Sequence, residues 1–253
     1  MLLTCDHASN AVPRALDGLG LPPAARHQHI AWDIGAAAVT RLLAEALDAP
    51  ALLTGYSRLV IDCNRDPDDA TSIPAVSDGV AVPGNRDLAE SARAARRAAC
   101  FAPYHAAIAA RLDALLAAGT PPALLSIHSF TPVMAGMARP WQIGILWDMD
   151  GRIPQPLLAA LSTDPAISVG DNQPYSAREP AGYTVRHHAV QRGLPHVAIE
   201  LRQDLIADEE GARAWAARLA GALRPILARR EIYRVEPAAA APAPGNHPAA
   251  SPH

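Results

Sequence analysis

Three polar side chains with hydrolytic chemistry stand at the ends of short apolar runs. They are His7 after Leu2–Cys5, His128 after Ala123–Ile127, and Glu200 within His196–Arg202. Two histidines and one carboxylate with an open coordination position form the ligand set of a hydrolytic zinc centre. The spacing is long and forms no compact local motif, and a single histidine in such a place is more often structural.

Two arginines flank the apolar centre of the segment Tyr56–Arg65. We predict a buried strand here, with Arg58 at its mouth and with Asn64 and Arg65 at its carboxyl end. Two guanidiniums about one strand length apart suit a substrate with two carboxylates. Alternatively, Arg58 forms a structural ion pair with a nearby aspartate, either Asp62 or Asp66.

Two carboxylates have both a structural and a functional interpretation. Asp33 stands at the N-cap position of a helix predicted over Ile34–Leu47, where aspartate is a favoured residue. The alternative interpretation, in which Asp33 is a metal ligand fixed at that helix end, has equal weight. Glu200 ends an apolar strand, where a carboxylate is costly unless it is paired or working. Arg202 is its nearest structural partner, and we favour function.

The apolar periodicity predicts strands that alternate with helices. Besides the runs named above, the predicted strands are Ala51–Thr54, Arg58–Asp62 and Gln142–Trp147, and the helices are Arg86–Leu116 (a hairpin or a helix kinked at Pro103), Gln155–Leu161 and Asp208–Ala228. This order predicts a mostly parallel, layered α/β sheet, which binds its ligands at the carboxyl ends of its strands.

Smaller features concern the surroundings of such a site. We expect the polar loop Val169–Tyr175 to line a pocket and the Arg93, Arg96 and Arg97 cluster to lie on a solvated face. Tyr104 and His105 either pack or reach the site.

Composition excludes several classes of function. The 253 residues allow one large α/β domain, and the net charge of −3 provides no basic stripe for nucleic acid. All 22 cationic residues are arginine, which removes lysine chemistry. Three scattered cysteines and no apolar run of about 18 residues predict a cytoplasmic protein without a membrane span. We expect one domain over residues 1–235 and a disordered Ala/Pro-rich tail over residues 236–253.

Six segments together resemble the N-formylglutamate amidohydrolase family, and the resemblance extends to about residue 230. The segments are Asp6–Pro13, His29–Ala36, Tyr56–Arg65, Ile127–Pro132, Asp171–Tyr175 and Ile199–Leu205. That family is similar in fold to the zinc carboxypeptidases, which are phosphorylase/hydrolase-like. The resemblance therefore implies a three-layer α/β/α fold with a twisted, mixed and mostly parallel central sheet.

The resemblance also implies a role for each polar cluster. His7 and His128 would bind one Zn²⁺ ion, with Asp33 as the third ligand and Asn10 as the reserve. Glu200 would be the general base, and Arg58 would stabilise the oxyanion or hold a second carboxylate. Substrate contacts are expected at Arg58, Asn64, Arg65, Asn172, Tyr175 and Arg202.

The implied reaction hydrolyses N-formyl-L-glutamate to formate and glutamate, in histidine degradation. We expect a small-molecule substrate and a monomer or small homo-oligomer. The alternatives are an amidase or carboxypeptidase-like hydrolase for another N-acyl amino acid or short peptide, and a non-catalytic protein that binds an acidic ligand.

Overall fold

Short apolar runs form the central sheet of the protein, which we describe from a computed structural model over residues 1–178 and 182–236. The six strands are β1 Leu2–Cys5, β2 Ala51–Leu53, β3 Leu124–Phe130, β4 Ile143–Leu146, β5 Val169–Asp171 and β6 His196–Arg202. Their order is β2-β1-β3-β6-β4-β5. Only β4 and β6 pair antiparallel, so the sheet is mixed and mostly parallel, as predicted.

Helices cover both faces of this sheet. They are α1 Ala36–Ala46, α2 Glu90–Arg96, α3 Ala102–Ala117, α4 Pro154–Leu161, α5 Tyr183–His188 and α6 Glu209–Leu227. On one face α1, α4 and α6 enclose a core that includes Ile127, Ile199 and Leu219. On the other face α3, α5 and the loop after β2 enclose a second core around Leu124 and Ile108. The fold is therefore a three-layer α/β/α arrangement.

The predicted helix Arg86–Leu116 is two α-helices joined by a π-helical turn. The turn spans Arg97–Phe101 and lies just before Pro103. Proline has no backbone N–H to donate, and a π-turn is one way in which a helix accommodates the missing bond. The kinked helix, and not the hairpin, is the arrangement in the structure.

The predicted strand Arg58–Asp62 is wrong, and with it the strand interpretation of Tyr56–Arg65. The segment is a series of turns in which Val60 N–H donates to the Ser57 carbonyl at 2.9 Å and Asp62 N–H to the Ser72 carbonyl at 2.7 Å. Its apolar residues are buried, which explains the misleading pattern, because burial alone does not distinguish a strand from a buried turn.

Arg96 stabilises these turns from α2, so its predicted place on a solvated face is also wrong. Arg96 is 5% exposed, and its guanidinium donates to the carbonyls of Val60 and Gly84 and to Asn85 Oδ1. Arg96 thus fixes the segment that carries Arg58 and Asp62 toward the strand ends.

Two further features of the described residues concern the predicted chain boundaries. No helix among residues 1–178 and 182–236 is both long and apolar enough to cross a membrane. Of the predicted tail, residues 237–253 lie outside the described residues.

The role of Arg96 leads to a stability prediction. Arg96→Ala leaves several buried carbonyl oxygens without donors, and we expect it to lower the free energy of unfolding by about 2–4 kcal/mol. Arg93→Ala, one turn earlier in the same helix, is the matched control and should change it by less than about 0.5 kcal/mol. Urea unfolding followed by circular dichroism measures both. Equal effects of the two substitutions would contradict the structural role of Arg96.

Candidate active site

Asp33 reaches the site from a tight turn before α1. Its backbone N–H donates to the His7 carbonyl at 2.9 Å, and the turn passes through Gly35 at a φ of 81°. A Cβ atom at Gly35 would lie 2.1 Å from the Ile206 carbonyl oxygen, so the turn requires glycine. Gly35, and not Asp33, is the N-cap of α1, which frees the Asp33 carboxylate for other contacts.

The imidazoles of His7 and His128 converge on that carboxylate. Their Nδ1 atoms lie 3.3 Å and 3.0 Å from Asp33 Oδ2, and all three residues are buried. One donor atom from each of the three residues lies within 4.8 Å of the others, so the group could hold a metal ion. The three metal ligands predicted from the sequence are therefore brought together.

The outer ring nitrogens of both histidines face other carboxylates. His7 Nε2 lies 2.7 Å from Asp62 Oδ1, and His128 Nε2 lies 3.2 Å from Asp6 Oδ2. An imidazole that binds a metal through Nδ1 carries its proton on Nε2, where the facing carboxylate can accept it. In that tautomer both Nδ1 lone pairs would point toward Asp33, and a cation between the three groups would balance the carboxylate charge.

This donor set fits a divalent metal. Two imidazole Nδ1 atoms and a carboxylate oxygen are ligands that zinc accepts, and carboxylates behind metal-bound histidines are a common feature of such sites. Without a metal, the positive charge must be carried by protons. The carboxylates outweigh the effect of burial and raise the pKa of both His7 and His128.

Asp6 connects the site to the helical layer above the sheet. It accepts hydrogen bonds from Tyr104 Oη at 2.7 Å and from Thr184 Oγ1 at 2.9 Å. Tyr104 therefore reaches the site through Asp6. His105 instead packs within the helical layer, where its ring contacts Tyr104 and its Nδ1 lies 2.9 Å from His188 Nε2. These bonds fix the carboxylate that orients His128.

Glu200 stands beside His128 in the sheet. The two residues are register partners on parallel strands, and Glu200 is 7% exposed. Its Oε2 atom is buried without a hydrogen-bond partner among the described residues. Burial, together with the charge of Asp33, raises the pKa of the Glu200 carboxyl to about 7 against the pull of His128. Arg202 pairs with Asp204 at 2.8 Å, so the structural alternative, an ion pair between Glu200 and Arg202, is not the arrangement in the structure.

Arg58 is engaged by acids at the edge of the metal group. Its guanidinium donates to Asp62 Oδ2 at 2.6 Å and 3.0 Å and lies 3.6 Å from Asp33 Oδ1. Of the two alternatives, the ion pair with Asp62 is present. Arg58 thus lies next to the predicted metal ligands, and its side chain is 28% exposed.

Asn64 and Arg65 lie a short distance further along the same turns. Asn64 Oδ1 accepts the Thr184 N–H at 3.0 Å and its backbone carbonyl accepts the Tyr183 N–H, so Asn64 fixes the start of α5. Both residues are half-buried, and Arg65 N–H donates to the Asp62 carbonyl. The predicted carboxylate-binding pair is therefore bonded through its backbone to Asp62, the partner of Arg58, and does not lie at the end of a strand.

The remaining residues predicted to contact the substrate or the metal form hydrogen bonds with neighbouring protein groups. Asn10 contacts His27 Nδ1 at 3.2 Å. Asn172 Oδ1 accepts the N–H groups of Trp147 and Ala177, which holds the loop that follows β5. Val169–Asp171, predicted as loop, is strand β5, and only the part from Asn172 to Tyr175 is a loop. Tyr175 is 37% exposed, and its hydroxyl accepts a hydrogen bond from Arg139 Nη1.

Several residues of the site were missed from the sequence alone. Asp6 immediately precedes His7 inside one of the family-like segments, and that adjacency was the available signal. The sequence suggests Asp62 only as a partner for Arg58, because its contact with His7 joins residues 55 positions apart. Arg139, which contacts the predicted substrate residue Tyr175, follows a two-stranded hairpin after β3 and carries no local signal for that contact.

Comparisons with known proteins agree with this geometry. A sequence profile of the N-formylglutamate amidohydrolase family matches residues 1–207. An N-formylglutamate deformylase of Pseudomonas aeruginosa is 29% identical over 208 residues, 73% of this chain and 74% of its own.

Two crystal structures have similar folds. A gene product of Agrobacterium tumefaciens is 40% identical, with a TM-score of 0.86 over 89% of each chain. An N-formylglutamate amidohydrolase of Ralstonia eutropha is 17% identical, with a TM-score of 0.62 over 91% of this chain and 94% of its own, and at that identity it supports the fold alone.

The fold and the matched family define a hydrolase that acts on a carbon–nitrogen bond other than a peptide bond. The chain belongs to the N-formylglutamate amidohydrolase family.

Two buried carboxylates of the site should respond oppositely to neutralisation. Asp62→Asn removes an acceptor from His7, Arg58 and the Asn64 N–H, and we expect it to lower the free energy of unfolding by about 2–4 kcal/mol. Glu200→Gln removes a charge whose Oε2 has no partner, so stability should be unchanged or higher. Urea unfolding of the metal-free proteins at one pH measures both. A large loss of stability in Glu200→Gln would indicate a structural role for Glu200.

Proposed function

We propose that the protein is a zinc-dependent amidohydrolase that cleaves N-formyl-L-glutamate to formate and glutamate. The observation that carries the proposal is the convergence of His7, Asp33 and His128 beside Glu200, in a chain of this family. The name of the Pseudomonas relative supports formylglutamate as the substrate. Residues 1–235 would form the single catalytic domain.

The proposed zinc ligands are His7 Nδ1, His128 Nδ1 and a carboxylate oxygen of Asp33. When bound there, zinc lowers the pKa of a water molecule and polarises the amide carbonyl. Asp62 and Asp6 hold the two imidazoles in the tautomer that offers Nδ1. Asn10, whose amide contacts His27, is the weaker choice for the third ligand.

Glu200 is the proposed general base. Its Oε2 atom is buried, without a partner among the described residues, and its strand partner is the ligand His128. The carboxylate would accept a proton from the attacking water and then donate it to the leaving amine nitrogen.

Arg58 suits the negative charge that develops on the amide oxygen. Asp62 holds its guanidinium in place at the edge of the ligand group, close to where the acyl carbonyl must lie. Fixed donors of this kind stabilise charge without reorganisation. The α-carboxylate of the substrate would then be bound by Asn64 and Arg65. Substrate binding by Asn172 and Arg202 stays a prediction, and both side chains also contact neighbouring protein groups.

A panel of N-acyl amino acids, assayed with and without added zinc, tests the proposal. N-formyl-L-glutamate should be the preferred substrate, and turnover should depend on the metal. Preference for longer acidic peptides would favour a peptide amidase. Binding of acidic ligands without turnover of any substrate would favour a non-catalytic protein.

The metal ligands lead to a prediction that needs no activity. We expect His7→Ala and His128→Ala to weaken zinc binding by more than about 100-fold, since loss of a ligand should exceed the 10- to 100-fold effect of losing a ligand's hydrogen-bond partner. His187→Ala, on an exposed histidine of α5, is the control and should bind zinc normally. Competition with a chromophoric chelator measures the affinity. Undiminished zinc binding in both site variants would refute the proposed ligand set.

The role of Glu200 leads to a kinetic prediction. Glu200→Gln should lower kcat on N-formyl-L-glutamate by about 10²- to 10⁴-fold, because the amide cannot accept the proton of water. The zinc content should stay near that of the unmodified protein, since Glu200 is not a proposed ligand. Steady-state kinetics combined with metal analysis checks both. Full activity of a zinc-loaded Glu200→Gln protein would exclude Glu200 as the base.

A further inference from the structure

Arg139 is a half-buried arginine that contacts two aromatic rings and two hydroxyl groups. Its Nη1 donates to Thr131 Oγ1 at 3.3 Å and to Tyr175 Oη at 3.1 Å. Its guanidinium carbon lies 4.9 Å from the centre of the Tyr175 ring and 5.9 Å from that of Phe130. Stacking on aromatic rings orients a guanidinium while leaving its edge available to a ligand.

No carboxylate within residues 1–178 and 182–236 forms an ion pair with Arg139. Both hydrogen bonds of its guanidinium within the described residues use Nη1, so the remaining N–H groups are available for a planar acceptor. Arg58 differs in this respect, because Asp62 already occupies its guanidinium. Of these two arginines, Arg139 is the one without an acidic partner.

The sheet places this cation on the side of the site that carries the base. Phe130, which Arg139 covers, is two residues after His128 on β3 and therefore projects from the same face. Gly144 is the antiparallel partner of Glu200, and a Cβ atom there would lie 2.0 Å from the Gln173 carbonyl oxygen. The missing side chain at Gly144 lets the loop that carries Tyr175 pass directly over the strand next to Glu200.

The distance along β3 suits the far end of an acidic side chain. Two strand residues span about 7 Å, so Phe130, over whose ring the guanidinium lies, is displaced by about that distance along β3 from the proposed metal ligand His128. A glutamyl side chain extends its carboxylate several bonds beyond the amide nitrogen. The α-carboxylate is closer to the amide and stays within reach of Asn64 and Arg65.

We propose that Arg139, oriented by Tyr175, binds the side-chain carboxylate of the substrate and so selects acidic N-acyl amino acids. This inference rests on the proposed function. Arg139 acts in specificity and not in bond cleavage, so its loss should change discrimination between substrates more than the chemical step.

The test compares two substrates of nearly equal size, N-formyl-L-glutamate and N-formyl-L-glutamine. Arg139→Gln should lower kcat/KM for N-formylglutamate by about 10- to 100-fold through a higher KM, because a charge-assisted pair is lost. For N-formylglutamine the change should be less than about 3-fold. Arg139→Lys keeps the positive charge but not the planar guanidinium that can donate two parallel hydrogen bonds. It should therefore retain part of the preference for N-formylglutamate over N-formylglutamine. Arg213→Gln, on the opposite face of the sheet in α6, removes the same charge and should leave both substrates unaffected.

An equal loss on both substrates would overturn the proposal, because it would mean that Arg139 binds the α-carboxylate or only supports the fold. If Arg139→Gln does not fold, as judged by its thermal unfolding, the substrate ratio of Arg139→Lys decides: an unaltered ratio refutes the proposal.

Calorimetric titration of the zinc-loaded protein with L-glutamate and with L-glutamine separates this inference from the proposed function. If the unmodified protein deformylates nothing, the proposed function fails, while a glutamate preference that Arg139→Gln abolishes still supports the Arg139 site. A preference absent from the unmodified protein, or retained in Arg139→Gln, overturns it.

Discussion

The buried carboxylate of Asp33 is the constraint on which the site depends. An ionised carboxylate away from water costs several kcal/mol unless positive charge surrounds it. Here the surrounding donors are the imidazoles of His7 and His128, the guanidinium of Arg58 and the N–H of Ser129. Despite burial, the charges and hydrogen bonds of His7 and His128 hold the pKa of Asp33 well below its usual range. The same charge balance makes the position suitable for a divalent cation, which would replace the protons of the histidines.

The topology of the sheet makes this convergence possible. Parallel strands β1, β3 and β6 lie side by side, so the residues at or just after their carboxyl ends share one edge. His7, His128 and Glu200 come from these three strands. Asp33 joins them because the backbone of its turn pairs with that of His7 and because Gly35 lets the turn approach the segment after β6. Residues separated by nearly two hundred positions thus occupy one site without a compact sequence motif.

Several buried polar residues together hold this site in place. Asp62 is hydrogen-bonded to His7, and Asp6 lies 3.2 Å from His128 Nε2 and accepts hydrogen bonds from Tyr104 and Thr184. These contacts connect β1, α3, α5 and the turns around Arg58 to the same centre. Arg96 secures those turns from behind. Glu200 is the exception, since its Oε2 has no partner among the described residues. An unpaired buried carboxylate beside well-paired ones is consistent with selection for reactivity at that position and not for stability.

The sequence by itself determined the layered sheet, most of its strands and the set of histidines and acids at their ends. These follow from apolar periodicity and from the rule that parallel strands present polar residues at their carboxyl ends. The tertiary structure decided the rest. Only the packing of Arg96 and Ser57 turns the apolar segment Leu59–Ile61 into buried turns. Only Gly35 frees Asp33 from capping α1. Asp62 serves both His7 and Arg58, and Arg139 reaches Tyr175, through contacts between residues distant in sequence. Local patterns encode which surface is buried, but they do not encode which distant partner a polar group meets, because that depends on how the packed elements bring the chain together.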